Sequence, residues 1–360
     1  MKRDEKNRKQ FCSAFTLLLI FLSLVSTARA GSWAADGSVS NQAGARRYKL
    51  WIPDRYDGKK KLPLVLMLHG CTQTAEEFAA GTGMNAVTDE HRFFVAYPEQ
   101  PPTANALRCW NWFDAAHQSR GSGEPALLAE IVKQVGAQYK VDAGRVFVAG
   151  ISAGGAMTVI LGATYPDLFA AVGVHSGIAY KSGTNLQEGL AALARGGADA
   201  NRQGQLAYQA AGGKMRRPVR VIIFQGMKDG AVAPVNADQV VTQWAQTNDL
   251  FDDSGDNNSV DDRADATTAG VTPQGYHYTI EVYQDRTGQT LIEKWSVQEM
   301  KHAWSGGNSQ SSYTDPNGPN ASREMWRFFS ATANSSKPAA KKAAALLSDL
   351  GIGETPSRTF

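Results

Sequence analysis

Three residues of this 360-residue chain could together carry out acyl transfer: Ser152, Asp229 and His302. A serine hydroxyl is a weak nucleophile until a histidine takes its proton and an acid orients that histidine. Ser152 lies in Gly150-Ile151-Ser152-Ala153-Gly154, after the apolar run Val146 to Ala149 and before a helical stretch. That order predicts a sharp strand-to-helix turn with the serine at its apex, and the glycines leave room where strand and helix approach. With 35 glycines in the chain the pentapeptide alone is a modest signal, so the acid and base must decide. Val219 to Gln225 reads as a strand running into Gly226-Met227-Lys228-Asp229-Gly230, which puts Asp229 at a strand's carboxyl end, where open sheets place their chemistry. Met300-Lys301-His302-Ala303-Trp304 follows the last strand in the same way.

Serine, acid, histidine is the chain order of α/β-hydrolases. Of the six histidines, His69, His91, His175 and His277 sit at strand or helix ends, and His117, in a loop, is the one serious rival to His302. Asp238, inside the helix after the acid loop, is the weaker competitor to Asp229. Acyl transfer also needs two N–H groups aimed at the developing oxyanion. The residue after the nucleophile, Ala153, supplies one, and Cys71 in His69-Gly70-Cys71-Thr72 is the expected second. The aromatic segment Cys109-Trp110-Asn111-Trp112-Phe113 reads as a substrate wall together with Trp304, or else as core. If that segment is extended, Trp110 and Trp112 share one face, so the pair must be all wall or all core.

The elements that must hold these residues alternate. Tyr48 to Ile52, Leu62 to Leu68, Phe93 to Tyr97 and Ala170 to Val174 join the strands already named, and Ala126 to Tyr139 has the clearest helical spacing. Alternation predicts an α/β fold with a mostly parallel central sheet covered by helices on both faces. Tyr276 to Tyr283 and Gln289 to Val297 flank Asp285-Arg286-Thr287-Gly288 as a hairpin, and a helix from Ser322 to Ser330 closes the domain.

The ends read differently. Residues 1–30 carry a basic head, the apolar run Phe11 to Val25 and the small-residue site Ala28-Arg29-Ala30, the pattern of a secretory signal. That run is shorter than a bilayer span needs, so no stable membrane anchor is expected after its removal. Residues 31–44 read as a polar lead-in, 45–332 as the catalytic domain with an acidic, solvated insertion at about 252–270, and 333–360 as linker and tail. Without the signal only Cys71 and Cys109 remain, which predicts one disulfide in an extracellular or periplasmic protein. Closing that loop of about 37 residues would stabilise the fold by roughly 4 kcal/mol in the chain-entropy model. Neither cysteine belongs to a C-x-x-C pair and the acidic stretch lacks EF-hand order, so no metal or other cofactor is expected. A net charge of +3 with scattered basic residues excludes a nucleic-acid partner.

Several unlinked motifs in one order resemble the polyhydroxybutyrate (PHB) depolymerase family of esterases. They are Leu68-His69-Gly70-Cys71-Thr72-Gln73-Thr74-Ala75, Cys109-Trp110-Asn111-Trp112-Phe113, Gly150-Ile151-Ser152-Ala153-Gly154-Gly155-Ala156-Met157 and His302-Ala303-Trp304-Ser305-Gly306-Gly307. Tyr313-Thr314-Asp315-Pro316 with Ala321-Ser322-Arg323-Glu324 adds to them. The resemblance implies an α/β-hydrolase fold and hydrolysis of poly(3-hydroxybutyrate)-type polyesters or short hydroxyalkanoate oligomers by Ser152, Asp229 and His302. Feruloyl or acetyl-xylan esterases share fold and triad and form the alternative. A non-catalytic binding protein of the same fold is disfavoured by the intact triad.

Overall fold

The computed structural model describes residues 30–331, and the expected signal segment and tail lie outside the described residues. In chain order the elements begin with β1 (Ser32–Trp33), β2 (Gly37–Asn41), β3 (Gly44–Ile52), β4 (Leu62–Leu68), α1 (Ala75–Thr82), α2 (Met84–His91) and β5 (Phe94–Glu99). Then come α3 (Gly123–Gln138), β6 (Val141–Ile151), α4 (Ala153–Thr164), β7 (Ala171–His175), α5 (Leu186–Arg195), α6 (Ala200–Ala210), β8 (Arg220–Gly226) and α7 (Val235–Asp253). The chain continues through β9 (Ala266–Val271), β10 (His277–Gln284), β11 (Thr290–Val297), β12 (Trp304–Ser305), β13 (Thr314–Asp315) and α8 (Ala321–Ser330).

Eleven strands form one sheet in the order β1-β3-β5-β4-β6-β7-β8-β11-β10-β9, with β2 also on β3. Pairings from β5 through β11 are parallel, whereas the β1, β2 and β3 end and the β9 and β10 end are antiparallel. The central strands are apolar throughout because both faces are covered. In β4, Leu64, Leu66 and Leu68 belong to the core that takes in α3, α4 and α7, while Val65 and Met67 belong to a second core that takes in α1, α2 and α8. All twelve residues of α4 are buried, so the helix behind the serine turn is wrapped by protein on every side. Helix α8 has one apolar face, and it stacks Trp326 on Phe93 at 3.9 Å and Phe329 on Phe147 at 4.9 Å.

Two stretches differ from their sequence reading. The lead-in at 31–44 contributes β1, β2 and the start of β3 to the sheet. The acidic stretch is not wholly an insertion either, since its second half forms the edge strand β9 against β10. Its first half is organised by Asp249, a buried carboxylate of α7 that accepts the N–H groups of Asn257, Ser259 and Val260. Among the described residues no cluster of three or more histidine, cysteine or acidic side chains is placed to hold a metal, and no helix is long and apolar enough to cross a membrane.

Candidate active site

The serine turn is strained in the sense its sequence suggests. Ser152 has φ 57° and ψ −121°, between the end of β6 and the start of α4. A left-handed φ at a residue with a side chain is uncommon and costs on the order of 1–3 kcal/mol, so the surroundings must enforce it. They do so by contact: a methyl group at Gly154 would lie 2.1 Å from the Leu68 carbonyl oxygen, and one at Gly150 2.6 Å from the Gly154 backbone. The Ser152 N–H is held by the His175 carbonyl at 2.9 Å.

Asp229 and His302 follow the carboxyl ends of neighbouring parallel strands, β8 and β11. Lys228 N–H donates to the Met300 carbonyl and Met227 N–H to that of Val297, so the loops after β8 and β11 are laced together. His302 Nδ1–H donates to Asp229 Oδ2 at 2.8 Å. Asp229 Oδ1 accepts the N–H groups of Ala231 and Val232 at 2.9 and 2.8 Å, and Gln225 Nε2 donates to Oδ2 at 3.3 Å. Burial pushes the Asp229 carboxyl up, but the bond and charge of His302 and the two N–H donors outweigh it and leave it below the ordinary carboxylate range. With Nδ1–H committed to the carboxylate, Nε2 is the nitrogen left to accept a proton. Ser152 Oγ makes no hydrogen bond among the described residues.

The rivals are accounted for. His117 Nδ1 accepts the Glu124 N–H at the start of α3, and Asp238 binds the Lys294 ammonium at 2.6 Å.

The loop between β4 and α1 lies against the serine: a methyl group at Gly70 would be 3.6 Å from Ser152 Cβ. Gln73 holds it from inside, accepting the Gly70 N–H at 2.9 Å and donating to the Ser312 carbonyl. Thr74 and Glu77 then form a reciprocal cap that starts α1. Thr72 N–H donates to the Leu107 carbonyl at 2.7 Å, and a disulfide joins Cys71 to Cys109 with their Cα atoms 4.2 Å apart. Neither Cys71 N–H nor Ala153 N–H has an acceptor among the described residues.

The tryptophans are a correction. Trp110, Trp112 and Trp304 are 0%, 6% and 1% exposed, so the pair at 110 and 112 is core and none of the three forms an open wall. Two of the indoles are satisfied inside: Trp110 Nε1–H donates to the His69 carbonyl and Trp304 Nε1–H to Ser322 Oγ. The exposed aromatic beside His302 is Tyr313, 48% exposed with its ring 6.2 Å from the imidazole. Sequence reasoning assigned it no role, although it stands in a motif already singled out.

Behind the site lies a buried polar frame. Glu124 accepts Arg46, the N–H and amide of Asn111, and the amide of Gln100, which also donates to the Cys109 carbonyl. His69 Nε2 accepts the Gln100 N–H at 3.0 Å. Burial lowers His69 to about 4 and His175 to about 3. The folded protein therefore keeps both neutral, while the unfolded chain protonates them near 6.5. Folding is favoured in full above that value and weakens as pH falls from about 6.5 toward 4. Between pH 7.5 and 5 each histidine should remove about 2 kcal/mol of stability. Urea unfolding at the two pH values checks this, and equal unfolding free energies would contradict the buried neutral histidines.

Comparison with known proteins adds to this geometry. A family model described as "Esterase PHB depolymerase" matches residues 46–268. Poly(3-hydroxyalkanoate) depolymerase C of Paucimonas lemoignei is 32% identical over 242 residues, 67% of this chain and 54% of that protein. The chain thus spans about half the length of that relative. Feruloyl esterase B of Neurospora crassa is 32% identical over 236 residues, 62% of this chain and 78% of that one. Among solved structures, an acetyl xylan esterase from Aspergillus awamori superposes with a TM-score of 0.65 at 20% identity, covering 82% of this chain and 99% of that chain, which shows the shared α/β-hydrolase fold.

Proposed function

The chain belongs to the PHB depolymerase family of esterases, and from this we propose that it is a secreted serine hydrolase that cuts 3-hydroxyalkanoate polyesters or their short oligomers. The observation that carries the reading is the Asp229–His302 bond beside the strained Ser152 turn. Ser152 Oγ attacks the ester carbonyl carbon while its proton passes to His302 Nε2. The oxyanion forms against the N–H groups of Cys71 and Ala153, each such donor being worth about 3 kcal/mol. Collapse expels the alcohol, which takes the proton from His302 and leaves an acyl-Ser152 ester. Water, deprotonated by His302, then attacks that ester, and Ser152 Oγ leaves with the proton returned by His302 as the acid is released. Asp229 keeps the imidazole in the Nδ1–H tautomer throughout. Exposed Met227, two residues before Asp229, and Tyr313, beside His302, support an apolar ester over a charged one, as does exposed Leu107 on the segment bonded to the β4–α1 loop. The basic, apolar and small-residue pattern of residues 1–30 supports export.

A feruloyl or acetyl-xylan esterase is the second reading, favoured by the fuller coverage of the feruloyl relative, 78% against 54%. The two separate in one panel. With 3-hydroxybutyrate trimer, methyl ferulate and acetylated xylan compared, kcat/KM for the trimer should lead by at least about tenfold, a difference of about 1.4 kcal/mol in transition-state binding. Preference for the feruloyl or xylan ester would reverse the assignment.

A further inference from the structure

We infer that His175 is a positioning residue that ties the nucleophile turn to the loop carrying His302. The inference rests on Ser152 and His302 acting as proposed above. His175 ends β7, the strand between the one that delivers Ser152 and the one that delivers Asp229. Its carbonyl accepts the Ser152 N–H at 2.9 Å. Its imidazole Nε2 lies 3.0 Å from the N–H of Ser305, three residues beyond His302 and 130 from His175 in sequence. One residue thus binds Ser152 itself and the loop that carries His302.

The contact also fixes the state of the ring. A backbone N–H can only donate, so Nε2 must carry a lone pair and the proton must sit on Nδ1, where it faces Ser176 Oγ at 3.2 Å. Phe224, in the strand leading to Asp229, stacks on the imidazole at 5.8 Å, and Trp304, next to Ser305, stacks on it at 5.1 Å. Burial acts in the same direction by disfavouring the charged ring, with the His302 charge adding to it and the Asp229 carboxylate opposing it. The ring is fully buried and touches no solvent through which substrate could reach it. A residue filling space alone would need the stack but not the acceptor. A displacement of about 1 Å in a proton-transferring group costs about 10²-fold in rate, so holding the His302 loop by this acceptor matters to turnover.

Two full-length variants test the inference. His175→Phe keeps the stack and removes the acceptor, and His175→Gln puts an amide oxygen near the former Nε2. Turnover of p-nitrophenyl butyrate, the rate of fluorophosphonate capture at Ser152 and the melting temperature are measured for each. For His175→Phe, kcat and capture rate should fall about 10²-fold with KM within about threefold, and His175→Gln should recover at least about tenfold of the loss. A folded His175→Phe protein with unchanged kcat and capture rate overturns the inference, as do equal rates in the two variants. Nitrogen-15 imidazole spectra of the unsubstituted protein decide the matter even if neither variant folds. His175 should be neutral and protonated on Nδ1 at pH 5, and an Nε2–H or charged ring overturns the role. Failure of the unsubstituted protein to capture the probe at Ser152 would instead overturn the serine-hydrolase reading on which the inference rests.

Discussion

Replacing Ser152 by alanine is expected to lower kcat about 10⁴- to 10⁶-fold while leaving the protein folded. In the proposed mechanism Ser152 Oγ is the one atom that forms the acyl bond, and the substitution removes it. The retained fold follows from the local structure. Ser152 Oγ makes no hydrogen bond among the described residues, and alanine meets the same left-handed backbone as serine does. Neither state gains or loses much, so the unfolding free energy should stay within about 0.5 kcal/mol. His302→Ala should be comparably severe, and the double variant little worse than either single one, because the two groups act on one proton. Turnover of a p-nitrophenyl ester, with urea unfolding alongside, measures all of this. Residual activity above about 1% in folded Ser152→Ala protein would remove the residue from the mechanism, since such residues act as a unit.

The candidate triad was easier to read from the sequence than its setting. The Ser152 turn and the meeting of Asp229 with His302 were legible because apolar runs mark strand ends in a buried parallel sheet, and the proposed chemistry demands a fixed order at those ends. The disulfide was legible from two cysteines in a chain with an export pattern. The tryptophans were not, because an indole has the same apolar bulk and the same N–H whether it lines a cleft or fills a core. Only the partners His69 and Ser322, far off in sequence, decide for Trp110 and Trp304. His175 was passed over for a related reason, since the contact that distinguishes it spans 130 residues. At the edges, β1 has two residues and β9 reads Ala-Thr-Thr-Ala-Gly-Val, neither long nor apolar enough to announce a strand. Their neighbours in the sheet supply the order that local propensity lacks.

Gly154→Ala is expected to damage both stability and activity, and it tests how the turn and the proposed oxyanion loop are held together. Gly154 is the second residue of α4, and its backbone φ is ordinary, so any cost must come from contact. An added methyl group would meet the Leu68 carbonyl oxygen at 2.1 Å and that of His69 at 2.6 Å. Both are backbone atoms at the end of β4, and that strand is paired on each side, to β5 and to β6. No side chain can rotate away, so either α4 or the end of β4 must move by about 1 Å to restore normal contact. Overpacking of this kind costs about 1–3 kcal/mol, and the same displacement carries the Cys71 and Ala153 N–H groups apart. A misplacement of that size lowers kcat/KM about 10²-fold. Gly136 in α3 supplies the control, because it is exposed and a methyl group there meets nothing within 4 Å. Gly136→Ala should stabilise by about 0.5–1 kcal/mol through helix propensity, with activity unchanged. Unfolding free energies and kcat/KM for the two variants separate a general glycine effect from the specific one. If Gly154→Ala keeps kcat/KM within about twofold, the close packing of α4 on β4 does not set the oxyanion geometry, and the disulfide and Gln73 must hold the loop without it.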